Sequence, residues 1–118
     1  MKFVLNVYLD AVDPKAPAVP HRVRATDDEE FAATVARSGE LIDAHVFADP
    51  STNTVVRYRD GALLVSDGPY VGTRYATSCY VLDCENLARA VELAASHPAT
   101  RQHAVEIRPL MSAAGWEM

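Results

Sequence analysis

Cysteine is scarce in this chain, and basic charge is outweighed by acidic. Only two cysteines occur, Cys79 and Cys84, too few for the disulfide framework that staples small secreted domains. Eleven Lys and Arg stand against sixteen Asp and Glu, a net charge of -5. That balance opposes nonspecific nucleic-acid binding, which rests on a basic surface. No apolar run approaches the roughly 20 residues of a membrane-spanning helix. The first residues, Met1-Lys2-Phe3-Val4-Leu5-Asn6-Val7-Tyr8, lack the long apolar stretch and small-residue cleavage site of a signal peptide. A cytoplasmic protein without membrane or nucleic-acid partners is the expectation. No P-loop, dinucleotide fingerprint or Gly-x-Ser-x-Gly elbow occurs. His97 and His103 are not at metal-ligand spacing with another His or Cys. No metal or other cofactor is therefore expected.

What is present is a chain of 118 residues, 49% apolar, enough for one domain spanning 1–118 with a packed core. Its most informative stretch is Val55 to Tyr70. Asp60-Gly61 between two β-rich runs signals a hairpin, because a type I′ turn needs positive φ at both central positions. A two-residue loop pairs Arg59 with Ala62, Tyr58 with Leu63, Arg57 with Leu64 and Val56 with Val65. Alternation then puts Val56, Tyr58, Leu63 and Val65 on one face, read as core. The mixed face carries Val55, Arg57, Arg59, Ala62, Leu64 and Ser66.

Phe3 to Leu9 reads as a first strand, apolar enough on both faces to be covered on both. Residues 10–25, with Pro14, Pro17 and Pro20, read as a proline-rich loop. Thr26-Asp27-Asp28-Glu29 resembles a capping box ahead of a helix near 28–38, with Phe31, Ala32, Val35 and Ala36 as its apolar stripe. Leu41 to Ala48 reads as a strand whose second face, Ile42, Ala44, Val46 and Ala48, is wholly apolar. Tyr75 to Leu82 is another strand, with Ala76, Ser78, Tyr80 and Leu82 on one side. Asp83 is placed to cap a second helix carrying Leu87, Ala90, Val91 and Ala94 at helical spacing. His97-Pro98 ends that helix. His103 to Met111 is the last strand, and 112–118 is a tail. The order β-α-β-β-β-β-α-β is a ferredoxin-like split βαβ repeat with an extra hairpin, an α+β fold. Two helices cover one face of such a sheet, so a homodimer packed sheet against sheet is expected.

At this point the chain resembles the YCII-related superfamily, in particular its DGPF-domain branch. The resemblance is carried by Pro50-Ser51-Thr52, Val56 to Gly61, and Leu64-Val65-Ser66-Asp67-Gly68-Pro69-Tyr70. Further matches are Tyr80-Val81-Leu82-Asp83, His97-Pro98-Ala99, and Val105 to Met111. The resemblance implies a dimeric α+β barrel of largely undefined role. Some members are encoded near extracytoplasmic-function sigma factors, and some relatives have been proposed to be enzymes using a His/Asp pair. Here Tyr70 replaces the usual Phe, Gly72-Thr73-Arg74 replaces Glu-Thr-Lys, and no Gly-Gly opens the next strand.

The candidate catalytic residues are His45, Asp43 and Asp67. His45 and Asp43 share a strand face one alternation apart, as a base and its orienter would, and Asp67 offers a second carboxylate. Tyr70, Arg57 and Tyr8 are the candidate ligand-binding residues. Rings with polar tips line small-molecule pockets, and Arg suits bidentate carboxylate binding. Each also has a structural reading: Asp67 to Tyr70 suits a tight turn, the tyrosines suit core packing, and the arginines suit a solvated hairpin edge. Cys84, placed in the first helical turn, would have its thiol pKa lowered there. Two functions compete. One is a small-molecule-binding protein or enzyme with a polar pocket near the dimer seam. The other is a noncatalytic dimeric protein-interaction module linked to sigma-factor regulation.

Overall fold

The computed structural model describes residues 1–9, 25–49, 52–68, 70, 75–101 and 103–111. In chain order its elements are β1 (Lys2–Leu9), α1 (Ala25–Arg37), β2 (Leu41–Val46), β3 (Thr54–Arg59), β4 (Ala62–Asp67), β5 (Tyr75–Asp83), α2 (Leu87–Ala95), a 3-10 turn (Pro98–Arg101) and β6 (Ala104–Pro109). β1, β2, β5 and β6 form one antiparallel sheet in the order β2-β5-β1-β6. With the β3–β4 hairpin set aside, that is the strand order of a ferredoxin-like split βαβ fold. The expected α+β architecture is therefore observed. The proline-rich loop (save Ala25, which opens α1) and the tail lie outside the described residues.

Strand alternation fills one side of this sheet with Phe3, Leu5 and Val7 from β1 and Tyr80 and Leu82 from β5, all buried. Phe31 and Val35 of α1 and Ala90, Leu93 and Ala94 of α2 close over them. Each of these large apolar side chains contributes about 1.5–3 kcal/mol by leaving water. Arg89, near the start of α2, grips Glu40 through its Nε (3.0 Å to Oε2) and Nη2 (2.7 Å to Oε1), holding the helix to the turn that precedes β2. Among the described residues no helix covers the opposite side of the sheet. Val4, Asn6, Tyr8, Cys79 and Val81 are only half-buried there, with Asp43 and His45 at one margin and Glu106 and Arg108 at the other.

Several sequence expectations change. The hairpin register is as predicted, from Arg59 opposite Ala62 to Val56 opposite Val65, and Asp60 and Gly61 take the positive φ values (51° and 77°) that its turn demands. Its apolar face is not core, however. Val56, Tyr58, Leu63 and Val65 are 60, 77, 54 and 64% exposed, because β3 and β4 form a two-stranded sheet of their own. α1 begins before Thr26, so the proposed cap lies inside the helix and Asp28 turns inward. A bulge between Leu41 and Asp43 breaks the alternation of β2. Leu41 and Ala44 reach the core, while Ile42 and Val46, expected beside Ala44, are exposed. The cap of α2 is Asn86, whose side-chain oxygen accepts the Arg89 N–H at 2.9 Å, not Asp83. The buried face of α2 is Ala90, Leu93 and Ala94, with Leu87 and Val91 half in solvent.

Candidate functional site

Asp28 lies three positions before Phe31 and seven before Val35, which puts a carboxylate on the apolar face of α1. Ser78 and Tyr80 alternate on the helix-facing side of β5. His97 lies seven residues beyond Ala90, so it extends the buried face of α2 past the helix end. Folding brings these four together. All are buried, with relative exposures of 7% for Asp28, 0% for Ser78, and 1% each for Tyr80 and His97.

Three donors converge on one oxygen, Asp28 Oδ1. The Ser78 hydroxyl donates at 3.0 Å, the Tyr80 phenol donates to the same atom, and His97 Nε2 lies 3.0 Å away. The Ala99 backbone N–H donates to His97 Nδ1 at 3.1 Å, so the ring proton sits on Nε2 and points at the carboxylate. Phe31 stands edge-on to both rings, with centroids 4.7 Å from Tyr80 and 4.9 Å from His97, and shields the cluster with its apolar ring. Burial pushes the Asp28 carboxyl up, but hydrogen bonds from His97, Tyr80 and Ser78 outweigh it, so the net shift is downward. The carboxylate is thus ionised at neutral pH. Burial, and then the adjacent carboxylate, push the Tyr80 phenol well above its ordinary range. The result is an ionised acceptor, a protonated phenol and a neutral imidazole within hydrogen-bond reach, the components of proton transfer. A recess of about 330 Å³ lined by Ala95, Ser96, His97, Pro98 and Arg101 opens beside His97.

The sequence-selected residues are distributed differently. His45 Nε2 and Asp43 Oδ2 meet at 2.9 Å on the helix-free side of the sheet, with 55 and 56% of their side chains exposed. His45 stands opposite Cys79 on β5. Asp67 ends the hairpin opposite Thr54, in the other sheet. Arg57 and Tyr70 meet there too, with the guanidinium carbon 5.5 Å from the ring centre, both exposed. Tyr8 is on the helix-free sheet face, its phenol pushed up by burial and by neighbouring Glu106. Thus His45 joins Asp43 and Arg57 joins Tyr70, while His45 and Asp67 are placed in separate sheets. Cys84 is buried ahead of the α2 cap rather than inside the first turn, and burial raises its thiol pKa instead of lowering it. Among the described residues no group of three or more His, Cys, Asp or Glu side chains is arranged to hold a metal. No described helix is long and apolar enough to cross a membrane.

The sequence pattern of the YCII-related domain matches residues 8–114. The chain belongs to the YCII-related family. No curated protein matches it. In this YCII-related chain the matched span includes all four residues of the buried cluster. Sequence reasoning passed over that cluster, although one signal was legible. Asp28, Phe31, Ala32 and Val35 follow the i, i+3, i+4, i+7 pattern, with an acidic residue where an apolar one belongs. Ser78 and Tyr80 likewise shared the core-facing side of their strand. Nothing local could pair either group with His97, which is 69 residues from Asp28.

Proposed function

We propose that this YCII-related protein is a homodimeric small-molecule-binding protein of acid–base character, with the Asp28–His97–Tyr80 cluster as its working group. The convergence of three buried donors on a single ionised carboxylate oxygen carries the reading. A charge in an apolar interior is costly and persists only when its surroundings are built for it, and such perturbed groups concentrate at functional sites. A ligand would approach the cluster from the recess that His97 lines. A ligand with a mobile proton would meet the carboxylate or the imidazole by displacing one donor. The run from Val56 to Tyr70 favours the DGPF branch, and the half-buried, helix-free sheet face favours the dimer. The Asp43–His45 contact supports a second reading, in which the pocket lies on that sheet face, near the seam.

A thermal-shift screen against anionic, neutral and cationic metabolites tests both, using wild type, His97→Gln and His45→Ala. A ligand at 100 times its dissociation constant raises stability by about 2.7 kcal/mol. A hit lost only in His97→Gln assigns it to the buried cluster, and one lost only in His45→Ala assigns it to the sheet face. No hit in any class would sink the binding function.

A further inference from the structure

Both ring nitrogens of His97 are engaged, and by opposite kinds of partner. Nε2–H donates to Asp28 Oδ1 at 3.0 Å, while Nδ1 accepts the Ala99 N–H at 3.1 Å. The second bond joins a side chain to the amide two residues on, the geometry of an Asx turn. It ties the Pro98–Arg101 turn to the end of α2. That tie needs an unprotonated Nδ1. An imidazolium carries N–H at both positions, so Nδ1–H would meet Ala99 N–H donor to donor. The other side of the ring favours the charge, because the ionised Asp28 carboxylate lies against Nε2. Charge-assisted hydrogen bonds are roughly twice as strong as neutral ones. On protonation the Asp28 bond therefore holds and the Ala99 bond yields. The turn has room to give, since Pro98, Thr100 and Arg101 are exposed.

We propose that His97 is a pH-sensitive latch on the recess it lines. Neutral, it holds the Pro98–Arg101 turn in place. Protonated, it releases the Ala99 N–H and reshapes the recess wall formed by Pro98 and Arg101. This role rests on the ligand-binding reading above and adds its regulation. The groups facing the ring leave the switch to His97. Asp28 comes from α1, Tyr80 and Ser78 from β5, and Arg101 from the turn itself. In mild acid Asp28 stays ionised, Tyr80 stays protonated and Arg101 stays charged. β1 and β6 turn only Phe3, Leu5, Val7, Val105 and Ile107 toward the core. Glu92 of α2 is engaged by Arg89. His103 is the second histidine beside the turn, its backbone N–H donating to Ala99 O at 2.8 Å, so the test must separate the two.

Nitrogen-15 NMR of the imidazole rings, with amide exchange, tests the latch on the ligand-free chain. The pH runs from about 7.5 to about 4.5, above the ordinary range of aspartate. Nδ1 of His97 should protonate and the Ala99 amide should lose protection with one shared midpoint, while the amides of β1 stay protected. His97→Asn keeps a side-chain oxygen that accepts the same N–H and has no proton to gain, so Ala99 protection should stay flat with pH. Asp28→Asn removes the charge that favours the imidazolium, so the midpoint should fall by about one pH unit or more. A ring that protonates with Ala99 still protected overturns the latch, as does a ring that stays neutral down to about pH 4.5. Loss of Ala99 protection with the same midpoint in His97→Asn also overturns it and assigns the response to His103. The binding function fails separately. A ligand hit lost in His97→Gln without a pH response at Ala99 keeps that function and removes the latch, and a pH response without any hit does the reverse.

Discussion

Removing the Asp28 side chain should destabilise this protein more than any other single polar change in the described residues. In Asp28→Ala the hydroxyl of Ser78, the phenol of Tyr80 and Nε2–H of His97 lose their common acceptor, while each stays buried away from water. A buried donor left unpaired costs about 1–3 kcal/mol. Three donors lose their acceptor at once while no charge is left behind, and partial relaxation offsets some of the loss, so the total should be about 3–5 kcal/mol. Against a total stability of about 5–15 kcal/mol, that is a substantial fraction. Asp28→Asn retains an oxygen at the same place and forfeits only the charge assistance, so it should cost about 1–2 kcal/mol. Ser78→Ala removes one donor and leaves the carboxylate with two, so its cost should be about 1 kcal/mol. Urea unfolding followed by circular dichroism checks the series, with the slope confirming that compactness is unchanged. Equal loss in Asp28→Asn and Asp28→Ala, or a loss below about 1 kcal/mol in Asp28→Ala, would refute a shared-acceptor network.

The same carboxylate shapes the pH dependence. Its folded pKa lies below the unfolded value, so its contribution is present above about pH 4 and is lost as pH falls through the folded pKa; the acid limb of a thermal-melt pH series should flatten in Asp28→Asn. Tyr80 runs the opposite way, its folded pKa being raised, so stability should fall as pH climbs above about 10, and Tyr80→Phe should lessen that fall. Burial raises both Cys79 and Cys84, so each should alkylate more slowly with iodoacetamide at pH 8 than a free thiol; mass spectrometry of the time course decides it. Gly68→Ala places a methyl carbon 2.8 Å from Asn53 Cβ, where no relaxed contact fits. The backbone N–H bond from position 68 to Asn53 O should open, visible as faster exchange of that amide in the variant than in wild type.

Local chemistry determined much of this protein from sequence alone. Asp60-Gly61 set the hairpin register because positive φ at two successive positions is a local demand. Strand and helix periods determined the element order, and with it the ferredoxin-like strand arrangement. Asp43 and His45 were legible as one pair because two residues of a strand separated by one share a face. Only tertiary structure decided what those faces meet. The hairpin face Val56, Tyr58, Leu63 and Val65 has the alternation of a core strand, and nothing in alternation says whether a helix will arrive to cover it. The bulge after Leu41 likewise re-aimed Ile42 through a mismatch with β5, which no property of β2 announces. The Asp28 cluster is the extreme case. Its members come from α1, β5 and the turn after α2, and nothing local pairs them until the sheet and helices close. Low dielectric and the absence of water then turn three ordinary donors and one carboxylate into a single coupled group.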